Sequence, residues 1–460
     1  SITYSSPFAG SNMNKIVFGA NVTTIPLYTF YYCYSVNSIN VKGGFAQWCG
    51  FDFSDNGKYY RSPCGGFDQA ISNGGTYELL FNGVALKGDF AIPTVVTEIP
   101  FHALQYGCSY VTGLTIHAGV TAIADGAFKG LSSLNTVALE TGNTNFTLAD
   151  NVLYNKEKTK ILLFPQLRSG DYAMPATITE LGDYQFYNCV NLTGITLPAA
   201  INKIPAYAFA NCVQLTSISI PAAVESIEDH AFDNCTALAK LIFEDSDKTL
   251  KLGRGLVVEK YNTWTDNRNV GLFYSSPISE LYIGRNIDLP NINNINSYRS
   301  PFNGQKLSKV NLGNKVNKMP GYLFSECWSI KDVNFDGTIT EWCNITFENE
   351  SATPFGLLMS GIAILYLKDS PLHSQVTIPE GATRIGAYAF YGQKGVSSVT
   401  VPSTVTSIEP YAFNSGLISD VYIDATSVAD LENINSFDSN TNIYVLESKI
   451  GRAVQQECRD

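Results

Sequence analysis

Apolar residues recur along this chain in one fixed rhythm: an aliphatic, two other residues, a second aliphatic, four residues, then Phe. Cys follows that Phe at the third position, and aliphatics follow at the sixth, ninth and eleventh. Ile201 and Ile204 thus lead to Phe209, Cys212, Leu215, Ile218 and Ile220, with Pro221 behind them. The same positions return 23 residues later as Val224, Ile227, Phe232, Cys235, Leu238, Leu241 and Phe243. They stand 23 residues earlier as Ile178, Leu181, Phe186, Cys189, Leu192, Ile195 and Leu197. Further copies pass through Phe30, Phe128, Phe324, Phe390 and Phe413, and one with an inserted residue passes through Leu104 and Cys108. Self-similarity at a period of roughly 20–50 residues marks a solenoid or a related array.

The spacing predicts the local structure. In Leu215-Thr-Ser-Ile218-Ser-Ile220 the last two apolar residues alternate with a polar one, so they share a face of a short strand. Pro221 ends that strand, having no N–H for a ladder. In Tyr207-Ala208-Phe209-Ala-Asn-Cys212 the apolar residues lie three and four apart, which predicts one helical turn. Such a coil is too small to bury its own apolar side. Stacked at about 4.8 Å, successive strands form a parallel sheet over a shared core. The expected fold is α/β: a solenoid of 23-residue coils, with a parallel β-sheet on the concave face and short helical turns on the convex side. It is expected to run over residues 1–460 as one continuous stack.

Several stretches break the rhythm. Phe45-Ala-Gln-Trp48-Cys49 opens a segment over 42–91, and Glu341-Trp342-Cys343 a matching one over 337–378. Asn151-Val-Leu-Tyr to Ile161, within 140–170, predicts a hairpin around a polar Asn155–Lys160 turn. Between 244 and 298 only Ile278, Leu281 and Ile283 keep the pattern. Residues 425–460 are read as a C-terminal cap on an otherwise open sheet edge. Within it, Thr441 to Leu446 reads as a last strand, and Ile450, Val454 and Cys458 predict an amphipathic helix over 448–458.

The A-F-x-x-C-x-x-L-x-x-I-x-I-P string, the paired Trp-Cys segments and the hairpin together resemble the BspA-like family of leucine-rich repeats. The resemblance touches most of the chain and implies a leucine-rich-repeat solenoid carrying β-rich inserts. It also implies an exported or cell-surface bacterial protein, with a signal peptide or lipid anchor outside this sequence. Such proteins adhere to other cells or to host matrix proteins such as fibronectin and fibrinogen. The resemblance brings no catalytic residues and no cofactor.

Composition narrows the partners. Charged residues are only 15% while Tyr and Phe number 26 each, the surface chemistry of an extracellular β-rich protein rather than a cytosolic enzyme. The net charge of −11, without a Lys/Arg cluster, disfavours a nucleic-acid partner, which needs a basic footprint for phosphate. Apolar runs such as Ile161 to Phe164 fall far short of the ~20 residues that span a bilayer.

Three columns carry the candidate chemistry. Polar residues between the inward strand positions form the candidate binding face: Thr193, Thr196, Thr216, Ser217, Ser219, Lys240, Asp332, Asn334, Ser398 and Thr400. Small polar side chains imply a protein or glycan surface as partner and no deep pocket. The second column, two residues before the repeat Phe, holds Tyr28, Tyr184, Tyr207, Tyr322, Tyr388 and Tyr411, with His230 and Gly126 as exceptions. It reads as a stacking ladder whose exposed edges can also contact a partner. Cys189, Cys212 and Cys235 form the third, read as buried core thiols beside the Phe ladder, because parallel Cβ vectors disfavour bridging. Cys49 and Cys64 are the better disulfide pair. His102, His117, His230 and His373 are scattered, which disfavours a zinc site. No G-x-S-x-G string marks a nucleophile, and Asp52 to Pro63 fails as a calcium loop for want of a Glu at its twelfth position. The chain is therefore read as a non-enzymatic binder without cofactor. The rivals are a secreted glycan-processing enzyme with its site in the 42–91 segment, near Trp48, Tyr59 and Tyr60, and a passive structural stalk.

Overall fold

The computed structural model describes residues 8, 11–25, 29, 35–51, 78–100, 103–104, 107–256, 259–261, 264–266, 269–273, 275–290, 300–302, 306–355, 363–424, 436–446 and 453–456. They fall into two compact units, one of Ser1–Ser169 with Thr177–Asn191 and one of Gly170–Ala176 with Leu192–Asp460.

In the second unit, each coil supplies one strand to a parallel sheet. Gly170–Ala173, Leu192–Thr196, Ser217–Ile220, Lys240–Phe243, Glu280–Ile283, Lys309–Leu312, Asp332–Phe335 and Ile364–Leu367 pair in that order, and Ser370–Pro371 returns antiparallel at the edge. The register aligns Ile218, Leu241, Leu281, Val310, Val333 and Leu365 in one buried row. Two residues on, Ile220, Phe243, Ile283, Leu312 and Phe335 form a second. The Lys240 and Glu280 strands are direct neighbours, so the irregular stretch between them adds no strand to this sheet. It folds instead into short antiparallel pairs, Arg254–Leu256 with Asn269–Gly271 and Glu259–Tyr261 with Trp264–Asp266. A five-stranded sheet follows: Ser374–Thr377, Val396–Val401, Asp420–Asp424 and Asn442–Leu446 run parallel, and Ala453–Gln456 closes the edge antiparallel.

The first unit repeats the scheme at smaller scale. Lys15–Phe18, Ser38–Val41 and Glu78–Phe81 pair in parallel and Val84–Ala85 turns back on them. Gly88–Ala91, Val111–Ile116 and Thr136–Leu139 start a new parallel sheet. The hairpin over 140–170 has three strands: Phe146–Ala149, Val152–Asn155 and Ile161–Leu163. Asp150 and Asn151, both with positive φ, make the first turn, as a tight two-residue hairpin requires. The Asn155 carboxamide oxygen takes the N–H groups of Thr159 and Lys160 in the second.

Three expectations are corrected. Among the described residues, the segment around each repeat Phe is not a helical turn. Tyr184, Tyr207, Tyr322, Tyr388, Tyr411 and His230 all hold φ between +55° and +67°, and Asn188, Asn211, Asn234 and Glu326 add a second left-handed residue. Two tight turns result, with Ala210 N–H donating to the Tyr207 carbonyl and Cys212 N–H to that of Phe209. Between them the backbone faces the next coil, so Phe209 N–H donates to the Ala231 carbonyl at 2.8 Å. Second, the Trp-Cys segments, read as β-rich, also carry the short helices Gly44–Cys49 and Ile339–Cys343, the latter capped reciprocally by Thr338 and Glu341. Third, residues 453–456 form a strand where a helix was expected. An isolated short helix is marginal, whereas the open edge at Asn442–Leu446 offers a row of unmet peptide partners.

Candidate functional site

The inward rows leave the alternate strand positions on the outer face of the nine-stranded sheet. The register sets Ser217 beside Lys240, Lys240 beside Glu280, Glu280 beside Lys309 and Lys309 beside Asp332. This is a row of alternating charge, with Glu280 within 3.4 Å of Lys240 and 4.0 Å of Lys309. Two residues along, Ser219, Ile242, Tyr282, Asn311, Asn334 and Tyr366 form a parallel row of larger, half-buried side chains. Between the rows lies a hollow of about 260 Å³ bordered by Lys240, Ile242, Glu280, Tyr282 and Asn311.

The loop after the Lys240 strand holds this face. Asp245 accepts the Tyr282 hydroxyl proton at 2.8 Å, and burial, with that carboxylate, pushes the phenol further above its ordinary value. Asp245 lies over Gly284 and Gly313, where a Cβ would come within 2.4 Å of its Oδ1. Glu244 accepts from Ser219 Oγ at 2.8 Å. Beneath the loop, the fully buried Arg285 donates to the carbonyls of Ile220, Pro221, Ala222, Val224 and Glu244 at 2.7–3.3 Å. Desolvation pulls its guanidinium below the ordinary value, and the carbonyl cage supplies the polar partners that water would have.

Thr193, Thr196, Ser217, Ser219, Lys240, Asp332 and Asn334 all lie on the nine-stranded sheet, and Thr216 just before its Ser217 strand. Ser398 and Thr400 lie on the five-stranded sheet, paired with Asp420 and Tyr422. Thr193 and Thr216 are tied into the scaffold, the first to Asp171 at 2.6 Å and the second to the Thr193 carbonyl at 3.1 Å. Sequence reasoning missed Glu280, Tyr282, Lys309, Asn311 and Tyr366. Their signal was the apolar alternation Leu281, Ile283 and Val310, Leu312, which marks the residues between as outward.

The ladder residues Phe128, Phe186, Phe209, Phe232, Phe324, Phe390 and Phe413 are all buried. Phe209 stacks on Phe232 at 5.2 Å and Phe390 on Phe413 at 5.5 Å, with Phe273, Phe302 and Phe437 as further rungs. Cys189, Cys212 and Cys235 are buried without a disulfide. Burial pushes the Cys189 and Cys235 thiols well up, and that of Cys343 to about 12. Cys49, named with Cys64 as the better disulfide candidate, holds a free thiol pushed up to about 12 by burial, and Cys64 lies outside the described residues. Tyr28, Cys33, Tyr59, Tyr60 and the Asp52 to Pro63 stretch are also outside them. Trp48 is 2% exposed and its indole N–H donates to the Ala103 carbonyl, so its ring offers no ligand surface. Among the described residues, no group of three His, Cys, Asp or Glu could hold a metal ion, and no helix is long and apolar enough to cross a membrane.

The family model of the BspA type leucine-rich-repeat region matches in six copies, over residues 1–58, 78–173, 164–253, 269–355 and 367–452. Among solved structures, a leucine-rich repeat protein from Bacteroides ovatus is similar at 16% identity, covering 94% of this chain and 92% of that one with a TM-score of 0.44. One from Eubacterium ventriosum reaches 18% identity over 88% of this chain and 82% of the other, with a TM-score of 0.38. A leucine-rich cell surface protein from Faecalibacterium prausnitzii reaches 17% over 72% and 82%, with a TM-score of 0.34. No curated protein matches the chain.

Proposed function

From a chain that belongs to the BspA type leucine-rich-repeat family, we propose an exported or cell-surface recognition module that binds a protein surface through the nine-stranded sheet and turns nothing over. The observation that carries this reading is the paired outer rows: alternating charges Lys240, Glu280, Lys309 and Asp332 beside Tyr282, Asn311, Asn334 and Tyr366. Tyr joins a rigid apolar body to a polar tip, and opposed charges fix the register of a complementary partner. Asp245 fixes Tyr282 beforehand, so less ordering is lost on binding. The hollow between the rows suits an inserted side chain of the partner.

The probes are fibronectin and fibrinogen, passed over the immobilised chain in surface plasmon resonance. Binding should weaken about tenfold or more in Tyr282→Ala and in Lys240→Glu. It should be untouched by Thr404→Ala, away from this sheet. Absence of binding by both probes, or equal binding by all variants, would reject the reading and favour a stalk.

A further inference from the structure

The first unit carries a slot of about 410 Å³ on its turn flank, sharing no residue with the sheet face proposed above. A missing turn creates it. In regular coils the chain makes its left-handed turn two residues before the repeat Phe, and the Phe N–H then donates to the following coil, as Phe390 does to Ala412 at 2.8 Å. The hairpin coil omits that turn: Ile161–Leu163 runs straight into Phe164, which still packs edge-on against Phe186 at 4.9 Å. The flank is left open between the Gly126 turn and the Tyr184 turn, by the width of one absent coil, about 4.8 Å.

The lining is polar and nearly balanced. Lys160 pairs with Asp125 at 2.7 Å, and Lys129 Nζ sits 4.1 Å from the centre of the Tyr184 ring. Glu180 and Asp183 stand exposed on the opposite rim. On the floor, Gln166 is 9% exposed, yet its Oε1 has no hydrogen-bond partner among the described residues. A buried acceptor left unmet is destabilising and so points to a donor that the described residues do not supply. The slot thus offers an amide oxygen deep inside, carboxylates above it, and two cations already engaged. A ligand with many hydroxyl donors and no net charge satisfies those acceptors without having to displace Lys160 from Asp125 or Lys129 from the Tyr184 ring. A slot one coil wide admits a flat ring edge-on and excludes a folded chain.

We propose that this slot binds a neutral saccharide, with Gln166 Oε1 accepting from a hydroxyl at the floor and Asp183 and Glu180 accepting at the rim. The site is separate from the sheet face, so either can fail without the other. Saturation-transfer NMR on the full chain with maltotriose, cellotriose, mannotriose and tri-N-acetylglucosamine tests it, followed by calorimetric titration of any sugar that responds. At least one should bind, and its affinity should fall about tenfold or more in Gln166→Met and in Asp183→Asn. Gln166→Met should melt no lower than the parent, because an orphan acceptor has been exchanged for a side chain of similar shape. Silence from all four sugars, or equal affinity in both variants, overturns the proposal. A Gln166→Met chain that melts clearly lower also overturns it, since the carbonyl would then already be satisfied by water.

Discussion

A tyrosine at φ near +60° crowds its own backbone, and the chain accepts that at five positions because the turn points the ring along the stack. Tyr388 and Tyr411 lie 5.1 Å apart and 15° from parallel, and Tyr207 lies 4.8 Å from His230 at 16°. His230 is the titratable member of this column. Its Nδ1 meets Asp233 Oδ2 at 2.8 Å, and that hydrogen bond raises its pKa above the ordinary 6.5 against the opposing effect of burial. A folded-state pKa above the unfolded one adds stability in full below the unfolded value and loses it as pH rises through the folded value. The chain should therefore lose stability as pH rises from well below the ordinary 6.5 to well above it, by an increment that His230→Tyr, which restores the column residue, removes. Urea midpoints at both ends of that window check this. Parallel pH dependence in parent and variant would assign the slope to another group.

At the scale of elements, the Trp-Cys segment explains why part of the fold was legible and part was not. The strand period and the Phe-Cys spacing are set by residues that point inward in every coil, so the sheet and ladder could be read directly from the sequence. The turns could not, because an i, i+3, i+4 pattern fits a helix as well as two left-handed corners, and nothing in Tyr207 itself announces positive φ. The candidate face was half legible: Ser217 and Lys240 follow from regular coils, while Tyr282 and Lys309 sit in coils whose Phe ladder is carried by Phe273 and Phe302 at irregular spacing. The Ile339–Cys343 helix shows one economy of that irregularity. Trp342 is fully buried, and its indole N–H donates at 2.9 Å to the carbonyl of Ala389, the residue before Phe390. In regular coils the peptide N–H of Phe makes that bond, as Phe209 does to Ala231. Trp48 repeats the arrangement with Ala103, the residue before Leu104. Trp342→Phe keeps an aromatic ring but strands a buried carbonyl, and should cost about 1–3 kcal/mol in chemical denaturation. Trp342→Ala adds a large cavity and should cost about 3–5 kcal/mol. A Trp342→Phe chain as stable as the parent would show that the indole hydrogen bond contributes nothing.

For the molecule as a whole, the problem is the edge. A parallel sheet built one coil at a time always ends in a strand whose N–H and C=O groups on one side lack a partner, and such an edge recruits other chains. The same answer recurs: Val84–Ala85 folds back on Glu78–Phe81, Ser370–Pro371 on Ile364–Leu367, and Ala453–Gln456 on Asn442–Leu446. The first two lie within the Trp-Cys segments and are succeeded by a fresh parallel sheet, beginning at Gly88 and at Ser374. The third has no further sheet after it among the described residues. Its pairing spans Ile443 to Leu446 against Gln456 to Ala453, the longest of the three return strands. Deleting residues 447–460 removes that cover while leaving the parallel core of the five-stranded sheet intact. The truncated chain should show concentration-dependent light scattering and a raised thioflavin T signal, with its far-ultraviolet dichroism little changed at low concentration. Placing Lys at Ile443 in the truncated chain should suppress the scattering, because a charge on an open edge opposes pairing with a second copy. A truncated chain that stays monomeric at high concentration would mean that the Asn442–Leu446 edge is protected by something other than its antiparallel neighbour.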